Sequence, residues 1–436
     1  MKNTFELQEL LPGFKVCRYE TDRFKTGRLS LYLILPLPEE PAAEAILPYL
    51  FSRTSAAFPD MLSLNKRLAE LYGATLNPFV NKMGENHVIG FSMTMIDSRF
   101  ALNGEDLMRE CAELLASVLF EPNLTGGVLS PEDLDREKRL MTERIDGEIN
   151  DKRFYAYRRL IETMCDKEAY RVSALGSRDG VAALTPESVT ETWKHVLKTA
   201  RFQLNAVGSG GLDTAAEVFR ARLAAMERGP LAAIHTEVVE RADTIRRVEE
   251  EQPVKQGKLV LGYRAGMRDA EAEYPVLRMM TDIFGGGTYS RCFENVREKQ
   301  SLCYYCSARF LSQKGIVIVQ SGIENENAEK AIAEIGKQLQ GMAGGDITEE
   351  DLQKSVRSMK DAFGTICDNP LDIDGWAASQ LCDPAFQTPD ELVERCAAVT
   401  REQAVEAAKR MTLDTVFLLK GTLTEGDSAP DEEVPA

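Results

Sequence analysis

The feature that most constrains this chain is an internal repeat. Ser130-Pro-Glu-Asp-Leu134 matches Thr348-Glu-Glu-Asp-Leu352 at an offset of 218 residues (348 − 130), and Thr185-Pro-Glu-Ser-Val189 matches Thr400-Arg-Glu-Gln-Ala404 at 215 (400 − 185). Each is a helix start, in which a Ser or Thr hydroxyl accepts from a backbone N–H of the first turn. One matched cap is common, but two at nearly the same offset imply duplication of a unit of roughly 200 residues. The length of 436 residues agrees, being too long for one ordinary core.

The elements between the caps recur in the same order. The first half opens with strands over Phe14–Glu20 and Leu29–Leu35, then helices from Ala42 to about Ser52 and over Leu62–Tyr72, stopped at Gly73. A hairpin of Ala74–Asn81 and His87–Met95 follows, then a helical region from Glu105 to about Met164, interrupted at Pro122–Gly127. The second half gives a strand at Lys258–Arg264, a helix at Tyr274–Phe284, a helix to Gln300, a hairpin of Cys303–Phe310 and Ile316–Ile323, and helices from Asn327 and Thr348. The fold class expected is α+β: two homologous domains, each an antiparallel or mixed sheet packed against helices. Their bounds are 1–225 and 257–424, with a charged linker at 226–256 and an acidic, disordered tail at 425–436.

Composition narrows the function. Apolar residues at 44% and charged residues at 28% suit a soluble globular protein. The apolar run Leu31–Leu37 falls far short of the ~20 residues that span a bilayer. The first ten residues lack the apolar core of a signal peptide, so the expected location is cytoplasmic, without membrane association. Nine scattered cysteines fit free thiols in a reducing compartment. A net charge of −17 with no basic stripe argues against a nucleic-acid partner.

The segment Phe284-Gly285-Gly286-Gly287-Thr288-Tyr289-Ser290-Arg291, continuing through Val296-Arg297-Glu298-Lys299-Gln300-Ser301-Leu302-Cys303-Tyr304, resembles the second-domain signature of the insulinase/pitrilysin family of inverted-zincin peptidases. That signature is a Gly-rich turn, Ser-Arg-Leu-Phe, then Val-Arg-Glu-Lys-x-Gly-Leu-x-Tyr; Cys292 and Ser301 depart from it. The resemblance extends over nearly the whole chain and implies duplicated α+β domains. It also implies that Arg297 and Tyr304 hold the substrate main chain and stabilise a tetrahedral oxyanion, chemistry suited to a guanidinium fork and a phenol donor. The turn Gly285-Gly286-Gly287 belongs to the same substrate-binding segment; read from its residues alone it is a helix C-cap with a close backbone approach, because no Lys-Ser/Thr follows to make a phosphate loop.

Active members of the family carry H-x-x-E-H on the first helix of domain one, two His binding zinc and the Glu acting as general base. Here that helix reads Ala43-Glu44-Ala45-Ile46-Leu47-Pro48-Tyr49-Leu50-Phe51. The only histidines, His87, His195 and His235, exclude a pair at i, i+4 anywhere. The distal ligand position falls on Arg144, or on Glu143 after a one-residue shift. No metal is therefore expected on this chain. Cys303-x-x-Cys306 on a regular strand would point to opposite faces and not chelate, and Glu137, Glu143, Asp146 and Glu148 read as a solvated helix face.

The function expected is that of a zinc-less subunit of a two-chain peptidase, binding peptide and supplying Arg297 and Tyr304 in trans to a homologue that carries the zinc. Self-association is the other partnership open to it. The competing reading is a peptide-binding or scaffold protein of the same fold with no role in proteolysis. An independent Ser or Cys hydrolase has no supporting base beside a nucleophile.

Overall fold

The computed structural model describes residues 3–423; the expected acidic tail at 425–436 lies outside them. In chain order the elements begin with β1 (Phe5–Leu11), β2 (Phe14–Glu20), β3 (Thr26–Pro36), α1 (Ala42–Phe51), α2 (Met61–Glu70), β4 (Thr75–Met83) and β5 (Asn86–Ile96). Next come α3 (Leu107–Phe120), the short pair β6 (Leu124–Thr125) and β7 (Val128–Leu129), α4 (Pro131–Gly147), α5 (Lys152–Met164), α6 (Arg178–Ala183), α7 (Pro186–Thr199), β8 (Arg201–Gly208) and α8 (Leu212–Ala224). The second half contains β9 (Arg246–Gln252), β10 (Gly257–Arg264), α9 (Ala270–Gly285), a π-helical segment at Cys292–Lys299, β11 (Cys303–Leu311), β12 (Ile316–Ile323) and α10 (Ala328–Ala343). It closes with α11 (Glu349–Gly364), α12 (Pro370–Ala378), α13 (Pro389–Ala397), α14 (Arg401–Arg410) and β13 (Thr412–Gly421).

Both repeated caps form. Thr185 and Thr400 make reciprocal capping boxes with Ser188 and Gln403, and Ser130 and Thr348 accept from the N–H of Asp133 and Asp351. The fold is α+β, and the described residues divide into two compact units: 3–146, 172–235 and 365–386 in one, and 147–171, 236–364 and 387–423 in the other. The first holds a six-stranded sheet ordered β1-β2-β8-β3-β5-β4; the second a five-stranded sheet ordered β11-β12-β10-β13-β9. Strand β9 falls within the span expected to be linker and pairs in parallel with β13.

The pleat explains how each sheet is covered. Along β3, Leu29, Leu31, Leu33 and Leu35 point into a core shared with α1, α3, α7 and α8. The alternate residues Arg28, Ser30 and Tyr32 point the other way. There they meet α12, whose buried Asp374 accepts from Arg28 Nε (2.6 Å), Ser30 Oγ (2.6 Å), Tyr32 OH (2.9 Å) and Asn205 Nδ2 (3.0 Å).

The second sheet repeats the device with α5, which starts 218 residues before α12, the same offset as the first cap pair. Ala156, Leu160, Ile161 and Met164 pack on Val260, Ile318 and Phe417. Gly262 leaves room for α5 there, since a Cβ would sit 2.6 Å from Met164 Sδ and push that side chain aside. Arg264 on β10 donates to Met164 O (2.8 Å), Glu168 Oε1 (2.6 Å) and Asp414 Oδ2 (2.8 Å), and Lys314 Nζ lies 2.6 Å from Glu168 Oε2. Each sheet is thus closed on one face by a helix from the other half of the chain, anchored through buried charge.

Candidate functional site

In the second unit, the Gly-rich turn, the π-helical segment and β11 build the site. Helix α9 ends at Gly285, where a Cβ would fall 2.5 Å from Ala308 on β11. That glycine is required for helix-to-strand packing and is enclosed, whereas Gly286, the C-cap, is exposed and Gly287 packs under the Tyr289 ring. Tyr289 OH donates to Asp282 Oδ2 (2.7 Å), fastening the turn to α9.

Arg297 sits in the last turn of the π-helical segment, a geometry that recurs at functional sites. Its guanidinium lies 4.6 Å from the Phe293 ring centroid and 3.5 Å from Glu298 Oε1, with 40% of the side chain exposed. Ser301 then reverses the chain at φ +51°, a left-handed conformation in which glycine is unstrained. This explains why the family signature has Gly at that place.

Strand β11 opens with a bulge: Cys303 pairs with Ile323 and Tyr305 with Gly322, leaving Tyr304 as the extra residue. Tyr304 is 57% exposed and donates to Glu324 Oε1 (2.6 Å). No direct hydrogen bond joins Arg297 to Tyr304 among the described contacts, but the π-helical segment packs against β11, and the Arg297 charge acts on Cys303 beside Tyr304.

The bulge also corrects the expectation for Cys303 and Cys306. Skipping a residue turns both thiols to one side, where Cys303 hydrogen-bonds Cys306 and Cys306 hydrogen-bonds Cys292. The hydrogen bond to Cys306 and then burial push the Cys303 thiol up, and Cys306 is likewise raised. These are protonated thiols sharing S–H donors, not a reactive or chelating pair. Among the described residues no group of three or more His, Cys, Asp or Glu is placed to hold a metal ion.

In the first unit, α1 occupies the place of a zinc helix and is almost wholly apolar toward its neighbours, burying Ala42, Ala45, Ile46, Leu47, Pro48, Leu50 and Phe51. Its Glu44 is engaged by buried His87, whose Nδ1 lies 2.7 Å from Glu44 Oε2 and whose Nε2 lies 3.0 Å from Ala174 O. That pairing was not legible from residues 43 positions apart. Of the two candidates for the distal position, Arg144 turns toward α1, its guanidinium 4.0 Å from the Tyr49 ring centroid and 3.6 Å from Glu137 Oε2, and Glu143 is exposed.

Glu137 is only 2% exposed and also pairs with Arg53, and Glu148 pairs with Arg158. Two of the four acids expected on a solvated face, buried Glu137 and half-buried Glu148, are therefore held in ion pairs, missed because their arginines lie on other turns and elements. An α1 without histidine, a Glu44 already held by His87 and a Glu137 already paired with Arg53 and Arg144 do not fit zinc.

The comparisons agree with this geometry. Residues 183–359 match the family described as "Peptidase M16 inactive domain". The chain is 30% identical over 418 residues to the "Probable inactive metalloprotease YmfF" of Bacillus subtilis (strain 168), covering 96% of this chain and 98% of the relative. The chain belongs to the M16 peptidase family.

It is an inactive M16 homologue, as the pitrilysin-type resemblance implied. Two solved M16-like folds superpose along the whole length. A conserved protein from Enterococcus faecalis V583 has a TM-score of 0.85 at 26% identity, covering 97% of this chain and 100% of that one. The peptidase M16 inactive domain from Pseudomonas fluorescens has a TM-score of 0.77 at 17% identity, with the same coverage. No helix among the described residues is long and apolar enough to cross a membrane.

Proposed function

We propose that this M16 chain is the zinc-less subunit of a heterodimeric insulinase-type peptidase, binding peptide substrate and supplying Arg297 and Tyr304 to the zinc site of a homologous partner. The observation that carries the reading is an asymmetry. The would-be zinc helix buries its apolar residues, with Glu44 held by His87 and Tyr49 covered by Arg144, whereas the second unit's Arg297 is partly and its Tyr304 largely exposed on a π-helical turn and a bulge. The turn Gly285-Gly286-Gly287, with Gly286 exposed, is part of the proposed substrate-binding segment. Zinc and the water it activates belong to the partner. This chain contributes donors to the peptide carbonyl and to the charge that develops on it.

The test mixes this chain with a zinc-bearing M16 homologue from the same host and measures peptide cleavage. Arg297→Ala and Tyr304→Phe are each expected to lower kcat/KM by about 10²–10³-fold. Unchanged kcat/KM in both variants refutes the role in trans. The scaffold reading draws on one observation, that Arg297 and Tyr304 are already paired with Glu298 and Glu324 within the chain. Cleavage that depends on the partner alone supports it.

A further inference from the structure

The hydrogen bond from Tyr304 to Glu324 has a chemical consequence for the site. A phenol has one proton to donate. In this structure that proton points at Glu324 Oε1 across 2.6 Å, short for a hydrogen bond and typical of a charge-assisted O–H···O⁻ contact. A peptide carbonyl on its way to an oxyanion needs the same proton. The carboxylate competes for it and, as a like charge beside a developing anion, opposes the oxyanion directly. Tyr304 can therefore serve a substrate only when Glu324 is neutralised or drawn aside.

Glu324 is placed to be drawn aside. It follows the end of β12 and precedes the short turn at Asn325–Asn327, an element separate from the bulge that carries Tyr304. Both side chains are exposed, so a ligand reaches them without unfolding anything. Arg297 is already engaged by Glu298 and the Phe293 ring.

We propose that Glu324 gates Tyr304 and makes it specificity-determining: a peptide that brings a positive charge, an ammonium or guanidinium group, pairs with Glu324 and releases the phenol for the main-chain carbonyl. The inference rests on the peptide-binding reading above and adds the charge class of the substrate to it. No bond is made or broken, because the carboxylate exchanges one hydrogen-bond donor for a cation.

The experiment uses the full-length chain and an unstructured fluorescein-labelled peptide in four forms: one internal Lys or its norleucine replacement, each with a free or acetylated amino terminus. Affinity is read by fluorescence anisotropy at low and high salt. A cationic form is expected to bind about two- to fivefold more tightly than the neutral one, the range of an exposed ion pair, with the difference fading in salt. Which cation gives the gain, side chain or terminus, identifies its source. Glu324→Gln is expected to abolish the preference, and Tyr304→Phe, which frees the carboxylate, to preserve it. Binding that ignores peptide charge, or a preference that survives Glu324→Gln, overturns the gate while leaving peptide binding intact. Absence of binding by every form overturns the peptide reading and the gate together.

Discussion

Removing the Asp374 carboxylate is expected to release α12 from the first sheet. Its two oxygens accept from Arg28, Ser30, Tyr32 and Asn205, and the carboxylate is 2% exposed. Asp374→Ala leaves Arg28, itself mostly buried, without its counter-ion, and breaking one side of a buried pair costs about 3–5 kcal/mol. The three neutral donors add to this, since each buried donor left unpaired costs about 1–3 kcal/mol where water does not reach it. Partial re-solvation through the opened helix returns some of that, so about 4 kcal/mol is the working figure.

Asp374→Asn separates charge from shape. It loses the ion pair and puts an NH2 where one oxygen accepted, but it keeps one acceptor oxygen, and the Ser30 or Tyr32 hydroxyl can turn to accept from the NH2, so it is expected to cost less than Ala. Because two units need not unfold together, a single global midpoint is not the readout. Native-state hydrogen exchange over residues 365–386 and β3, with limited proteolysis of that segment, reports the local opening free energy. The reasoning is refuted if Asp374→Ala shifts local opening by less than about 1 kcal/mol, or if Asp374→Asn is as damaging as Ala.

Three further outcomes are expected. Burial alone would raise the Glu168 carboxyl, but its hydrogen bonds to Arg264 and Lys314 outweigh burial and hold it below 4.5. A depressed carboxylate contributes stability above its unfolded value and loses it as pH falls through the folded one, so attachment of α5 should weaken below about pH 4.5. Hydrogen exchange over residues 152–171 should show that acid loss, and Glu168→Gln should flatten it. Ser301→Gly should raise the local opening free energy around β11 by about 0.5–1 kcal/mol in native-state hydrogen exchange, because φ +51° strains any Cβ by roughly 1–2 kcal/mol while glycine's extra unfolded-state freedom returns part of it; a lowered opening free energy contradicts this. Cys303 should react with a maleimide at pH 8 more slowly than a solvent-exposed thiol despite its partial exposure, since hydrogen bonding to Cys306 and burial keep it protonated; Cys306→Ala should speed it.

Much of the fold was readable because it depends on local chemistry. The caps at Ser130, Thr185, Thr348 and Thr400, the break at Gly73 and the apolar run of β3 name their elements without any partner. The site was readable in part. Arg297 and Tyr304 stood out through the flanking signature, but the bulge that isolates Tyr304 is a property of pairing with β12, and without it Cys303 and Cys306 seemed to face apart. Strand β9 was hidden for a related reason: its charges suit an edge, and only pairing with β13 makes it a strand.

By itself the sequence determined that this chain is duplicated, α+β and unable to build an H-x-x-E-H zinc helix, because periodicity, caps and residue identity are properties of the chain alone. Tertiary structure decided that α5 and α12 are exchanged between the sheets and that Arg53 and Arg144 both pair with Glu137. It also decided that the Tyr304 proton is shared with Glu324. Those outcomes depend on which distant side chains share one face of a sheet or one turn of space, and that information exists only once the strands have paired.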